Sequence, residues 1–220
     1  VTPHEMWLDT RADADRAELL ADHGPEILSK NGIIPFVAPR VRRWLRLDPA
    51  LNNRITRVVA PAGYLAGRLT GARAQDAVCD RTQANLFGCF DVARNAWDPD
   101  LAERCGLPPA MLPRIADAFE IVGHTTKAIE SRCGFPAGTP IAAGTGDGTG
   151  VWLSAGGFEP GICIDTSGSS AHFAITVDRL LTDPQGRMPC IPAAVPGRFY
   201  LLGFTTSTRL ALRWLSEPFR

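Results

Sequence analysis

The chain lacks a long apolar run, a net charge and any cysteine spacing suited to metal capture. Without an apolar stretch of membrane-span length no spanning helix is expected, and no secretory leader is visible. In 220 residues, 23 basic side chains balance 23 acidic ones. That balance removes the electrostatic case for nucleic acid or an anionic membrane surface, so any handling of phosphate must be local. The six cysteines show no C-x-x-C spacing and no neighbouring histidine, which argues against zinc. In a chain this long with no leader, free thiols in a reducing cytoplasm are expected over a disulfide framework. What is present is a globular composition, 45% apolar and 21% charged, enough for one large domain or two small ones. Val1 followed directly by an apolar motif reads as the interior of a longer chain.

Periodicity and punctuation predict an α/β chain in which strands repeatedly feed helices. A helix is expected over 13–28, broken at Gly24-Pro25, with Asp9 as its cap. A second is expected over 40–47, its arginines (Arg40, Arg42, Arg43, Arg46) forming a solvated face rather than a phosphate patch. A strand over 55–60 would enter a helix over 61–69, stopped at Thr70-Gly71. Asp76 and Asp80 are near enough to share a metal, but nothing completes a site and both read as loop and cap residues. Asp98-Pro99 is an N-cap with proline at N1, opening a helix that stops before Gly106. A strand over 120–124, a helix over 126–133, strands over 172–176 and 198–204 and a final helix over 206–216 complete the pattern. His124 has no acidic or cysteine neighbours that would make it a ligand.

The segment 140–174 organises the rest. A short apolar run, Ile141 to Ala143, delivers Asp147 into a turn built from Gly144, Gly146, Gly148 and Gly150, where backbone can approach a ligand. A second run, Ile162 to Ile164, ends in Asp165-Thr166-Ser167-Gly168-Ser169-Ser170, rich in hydroxyls and free backbone N–H groups that suit phosphate oxygens. One loop offers a carboxylate and the other anion-binding donors, a pairing that fits phosphoryl transfer to an alcohol. Singly, each loop is as readily an ordinary turn. A dinucleotide fingerprint at Gly144-Thr145-Gly146 fails at its third glycine, where Thr149 stands.

Several motifs then fall in one order: Trp7-x-Asp9-x-Arg11, the Phe36-to-Trp44 segment, Tyr64-Leu65-(x)3-Leu69-Thr70-Gly71, Trp97-Asp98, Gly106-Leu107-Pro108, Gly138-Thr139-Pro140, Gly144-x-Gly146-Asp147 and Gly168-Ser169-Ser170. Together they span the chain, which resembles the middle of an FGGY carbohydrate kinase, most closely the xylulokinase-like members.

The resemblance implies part of an actin-like, ribonuclease H-like two-domain fold. Residues 1–158 would belong to the N-terminal, sugar-binding domain and 159–220 would begin the C-terminal, nucleotide-binding domain. It implies a cytoplasmic kinase using ATP and Mg2+ on a sugar or polyol, with a homodimer admissible and no nucleic-acid or membrane partner. Asp147 matches the general base and lies toward the metal. Gly168, Ser169 and Ser170 match the phosphate loop. Trp7, Asp9, Phe36, Gly148 and His172 fall on the substrate side. Phe36 stands where glycerol kinases carry a tyrosine, Gly148 where a Gln- or Asn-like side chain follows the base, and His172 where a phenylalanine faces substrate. The N-terminal phosphate loop and the adenosine site have no counterpart here, so this chain alone is expected not to turn over. A non-catalytic relative that binds sugar or nucleotide is the alternative, and a dehydrogenase ranks third.

Overall fold

The computed structural model of the chain describes residues 5, 9–167, 171–183, 185, 187–205 and 209–216. The N-terminal half is largely helical: α1 (Asp13–Asn31), α2 (Val37–Leu47) and α3 (Pro61–Thr70). Next come β1 (Val78–Asp80), the single turn α4 (Arg81–Ala84), the hairpin β2 (Phe90–Asp91) and β3 (Ala96–Trp97), and α5 (Pro99–Arg104). The chain continues through β4 (Arg114–Ala116), β5 (Ile121–His124), α6 (Lys127–Cys133), β6 (Pro140–Ala142) and α7 (Asp147–Ser154). It closes with β7 (Cys163–Ser167), β8 (Ala171–Val177), β9 (Cys190–Pro192), β10 (Phe199–Thr205) and α8 (Arg209–Ser216). Among the described residues no helix is long and apolar enough to cross a membrane.

Two features place the site. β1 and β4 run parallel in the register Val78↔Arg114 to Asp80↔Ala116, so both strands end at one edge. The loop after β6 runs to the same edge, since Gly144 N donates to Ala118 O at 3.0 Å and Ala143 N to Glu120 O at 2.9 Å. Carboxyl ends of strands are where α/β folds usually bind ligands. The second feature is an antiparallel sheet ordered β7-β8-β10-β9. Trp152 of α7 packs on it with Ile164, Ala174, Tyr200 and Leu202, and the Tyr200 hydroxyl donates to Gly157 O at 2.6 Å. Burial of each such side chain contributes about 1.5–3 kcal/mol.

The larger core joins the two halves. Leu19 and Ile27 of α1, Val41 of α2, Phe87, Phe90 and Leu101 pack with Cys190 and Phe199 of the antiparallel sheet. The seam needs a glycine at 32. Gly32 ends α1 at φ +77°, and a Cβ there would collide with the Cys190 carbonyl, whose residue donates its N–H to Gly32 O at 3.0 Å.

Three expectations are corrected. α1 runs through Gly24-Pro25 without a break, because Leu19, Gly24, Ile27 and Asn31 keep one continuous buried stripe. Tertiary burial outweighs the single bond that proline removes. The segment 55–60 forms no ladder; Val58 N donates to Met111 O at 2.8 Å and Pro61 opens α3 directly. The arginines of α2 form less of a solvated face than expected: Arg46 is exposed, but Arg40, Arg42 and Arg43 are partly buried, and acidic partners meet them. Arg46 reaches Asp15, Arg42 reaches Glu18, and Arg43 and the Trp44 indole share Glu5.

Candidate functional site

Asp147 does not sit in a turn, as its glycine-rich surroundings predict. It is the first residue of α7, with Gly146 as the cap and Gly148 and Gly150 inside the helix. Anchoring of Trp152 on the sheet overrides the weak helix propensity of glycine. The ring of Trp152 folds back along the helix, close enough that a Cβ at Gly148 would touch it at 3.6 Å. Asp147 is exposed; its Oδ1 accepts from Gly148 N at 2.8 Å, and its Oδ2 has no hydrogen bond among the described residues. A carboxylate at a helix N-terminus is favoured by the unpaired N–H groups there.

The loop that presents Asp147 is held from β1 and α4. Thr82 Oγ1 accepts from Gly146 N at 2.8 Å, contacts Thr145 Oγ1 at 2.9 Å and donates to Asp80 Oδ2 at 2.6 Å. Asp80 caps α4, taking Thr82 N at 3.0 Å, Gln83 N at 3.3 Å and the Gln83 amide at 2.8 Å. The cap expected at Asp80 is present, and its further link to the Asp147 loop carries no local sequence signal. Asp80 is 1% exposed. Burial pushes its carboxyl above the usual range, and the donors from Thr82 and Gln83 oppose that rise.

The same short segment holds Phe36. Leu86 O, two residues past α4, accepts from Phe36 N at 2.8 Å and from Val37 N at 2.9 Å. Phe36 is half-buried, with the Arg16 guanidinium 5.8 Å from its ring centroid. Asp9 does not cap α1, whose N-cap is Ala12. It instead binds Arg11 through that residue's N–H at 3.0 Å and through its guanidinium, which holds the Asp9 carboxyl well below the usual carboxylate range.

His172 lies on the central strand β8, opposite Thr166 and Phe204, and faces α7. Its ring centroid is 6.0 Å from Trp152 and 4.7 Å from Phe204. Partial burial lowers its pKa, while the Asp147 charge acts on it in the opposite sense, so the two groups are within electrostatic reach. Trp7, Gly168, Ser169 and Ser170 lie outside the described residues; the strands flanking the last three pair as far as Ser167↔Ala171. Among the described residues no group of three His, Cys, Asp or Glu could hold a metal ion. Sequence reasoning missed Thr82, Thr145 and Trp152, whose contacts reach across the chain.

With this geometry in view, likeness to known proteins assigns the class. The FGGY family of carbohydrate kinases, N-terminal domain, matches residues 1–153, and the chain belongs to that family. It is 26% identical over 218 residues to an autoinducer-2 kinase of Yersinia enterocolitica, covering 96% of this chain and 40% of that one. It is 25% identical to a xylulose kinase of Escherichia coli, over 98% of this chain and 44% of the relative. Among solved structures, a xylulose kinase of Rhodospirillum rubrum superposes with a TM-score of 0.89 at 26% identity, over 99% of this chain and 44% of that one. The chain therefore spans about two-fifths of the length of the curated relatives it matches, and its fold is part of the actin-like fold of these kinases.

Proposed function

We propose that the protein to which this chain contributes phosphorylates a hydroxyl of a sugar or polyol at the expense of ATP, with a ketopentose such as xylulose favoured. Residues 1–158 would supply sugar-binding surface and 159–220 would open the nucleotide-binding domain. The observation that carries the reading is the presentation of Asp147. An exposed carboxylate, one of whose oxygens has no hydrogen bond among the described residues, stands on a helix N-terminus, and the N–H of the preceding residue, Gly146, is held by the buried Thr82 hydroxyl. Such a group can accept the proton of an acceptor hydroxyl late in a loose transition state.

Around it, Trp7, Asp9, Phe36, Gly148 and His172 would contact the sugar, and Gly168, Ser169 and Ser170 the phosphates. The His172 imidazole, whose pKa partial burial lowers, offers a ring nitrogen to one hydroxyl. The Asp147 carboxylate would also suit Mg2+ held mainly by nucleotide phosphates and water. That ion would neutralise charge on the transferred group.

The test is turnover in the full-length protein with MgATP and a panel of ketoses and polyols. Asp147→Asn should lower kcat by about 10²–10⁴ with little change in acceptor binding. The second reading, a binding relative without turnover, draws on the bond from Gly148 N to Asp147 Oδ1, which a purely structural aspartate would also make. Near-normal turnover in Asp147→Asn would remove the base assignment; no turnover by the unaltered protein with any acceptor would favour the second reading.

A further inference from the structure

We infer that Thr82 is a positioning residue for the proposed base, a role that rests on the reading of Asp147 given above. Its hydroxyl joins two segments distant in sequence: the end of β1, through Asp80 two residues before it, and the loop that leads into α7, through the adjacent Thr145 and Gly146, 63 and 64 residues away. The chemistry of a hydroxyl fixes the direction of each bond. A threonine carries one proton, and the nearest and strongest acceptor is the Asp80 carboxylate at 2.6 Å. With that proton committed, both lone pairs of Oγ1 are free to accept. One takes Gly146 N–H and the other the Thr145 hydroxyl. Asp80 thus acts as the orienter of a hydroxyl that would otherwise rotate.

The backbone consequence falls one residue from Asp147. Gly146 has no side chain of its own to brace against the fold, and its N–H is one end of the peptide that sets the start of α7. Gly150 N donates to Gly146 O at 2.8 Å, so the residue held by Thr82 also receives the first bond of the helix. A Cβ at Gly146 would lie 3.4 Å from Thr82 Oγ1, which shows how closely the two segments meet. Thr82 is 4% exposed and Asp80 1% exposed, so water does not compete readily for these bonds. The arrangement is one buried acceptor clamping the residue before an exposed carboxylate. Errors of about 1 Å in the placement of a catalytic group can cost about 10²-fold in rate.

The experiment compares Thr82→Val, Thr82→Ser and Thr145→Val in the full-length protein, using the best acceptor found with MgATP. Valine keeps the shape and removes the hydroxyl; serine keeps the hydroxyl. Thr82→Val should lower kcat by about 10–100-fold, with KM for acceptor and for ATP changed by no more than about threefold. Thr82→Ser should recover most of that loss. Thr145→Val, which leaves the bond to Gly146 in place, should cost less than Thr82→Val and stands in if the latter does not fold. A second readout needs no turnover: amide hydrogen exchange of the full-length protein should show Gly146 N–H losing protection in Thr82→Val and keeping it in Thr82→Ser. If Gly146 is deprotected while kcat stays within about threefold of the unaltered enzyme, the contact exists without a positioning role and the inference is overturned. An equal loss in the valine and serine variants, or a loss confined to KM, overturns it as well. Normal turnover in Asp147→Asn is a different result and removes the base assignment itself.

Discussion

Two aspartates hold neighbouring parts of the candidate site in opposite ways. Asp80 is buried, and its oxygens are met by two backbone amides, a hydroxyl and a side-chain amide, with no basic group within ion-pairing distance among the described residues. Asp9 is only partly covered, and its carboxylate is gripped by the exposed guanidinium of Arg11, two residues away. The first anchor uses neutral donors whose geometry the fold fixes, and removing it strands several buried groups at once. The second uses charge that water and salt can replace. Buried hydrogen bonds are costly to leave half-made, whereas exposed ion pairs contribute little. The base is therefore positioned by the rigid device, and the proposed sugar-side rim by the soft one.

The comparison breaks most visibly at Asp80. Asp80→Ala removes the α4 cap and leaves the Thr82 and Gln83 donors unpaired, so stability should fall by about 3 kcal/mol in urea unfolding of this chain. A loss below about 1 kcal/mol would mean that water satisfies these donors and that the anchor is not rigid. Asp80 should not, however, make the protein acid-labile. Burial raises its folded pKa, so the protonation-linked part of its contribution, separate from the hydrogen bonds that Asp80→Ala removes, is fully present below the unfolded value and lost as pH rises through the folded one.

An intermediate case sharpens the contrast. Asp98 caps α5 by accepting from Leu101 N at 2.9 Å and also pairs with Lys30, and this pairing first, then the cap, lowers its pKa. Asp98→Ala should cost about 1–2 kcal/mol near neutral pH, most of it from the cap. The sign is opposite to that of Asp80. A depressed carboxyl contributes stability above its unfolded pKa and loses it as pH falls through the folded value. The gap between Asp98→Ala and the unaltered chain should therefore close in acid, and a gap independent of pH would assign the loss to packing alone.

These three carboxylates were not equally legible in the sequence. Asp98-Pro99 announces itself, because cap and N1 proline are adjacent and their physics is local. Asp80 was readable as a cap for the same reason. Its reach to Gly146 was not, since Thr82 and Gly146 stand 64 residues apart and no local pattern records their contact. The family and its α/β fold were legible because many glycine and tryptophan motifs fall in one order. The helix at Asp147 was missed because four glycines suggest a turn, and what stabilises helix there is Trp152 seated on a sheet formed later in the chain. The unbroken α1 was missed for a related reason: the buried stripe that carries it past Pro25 is tertiary. The arginines of α2 appeared solvated because their acidic partners, Glu5, Asp15 and Glu18, lie on other segments.

The smallest effect belongs to the surface anchor. Arg11→Ala frees Asp9, yet the Arg11 side chain is exposed, water can reach the partly covered Asp9 carboxylate, and Glu5, which Arg11 also approaches, keeps Arg40 and Arg43 as partners. The melting temperature should be unchanged within error, and raising the ionic strength should leave the variant and the unaltered chain equally stable. Activity is the more sensitive reading. Arg11 orients the Asp9 carboxylate through a two-point contact and lowers its pKa. If Asp9 accepts from a sugar hydroxyl, loss of that orientation should raise KM for the acceptor severalfold in the full-length protein, while kcat and KM for ATP stay put. A melting loss as large as that of Asp98→Ala would show the pair to be structural and would place Asp9 with Asp80 rather than opposite it. An unchanged KM would take Asp9 out of the substrate site while leaving the assignment of Asp147 intact.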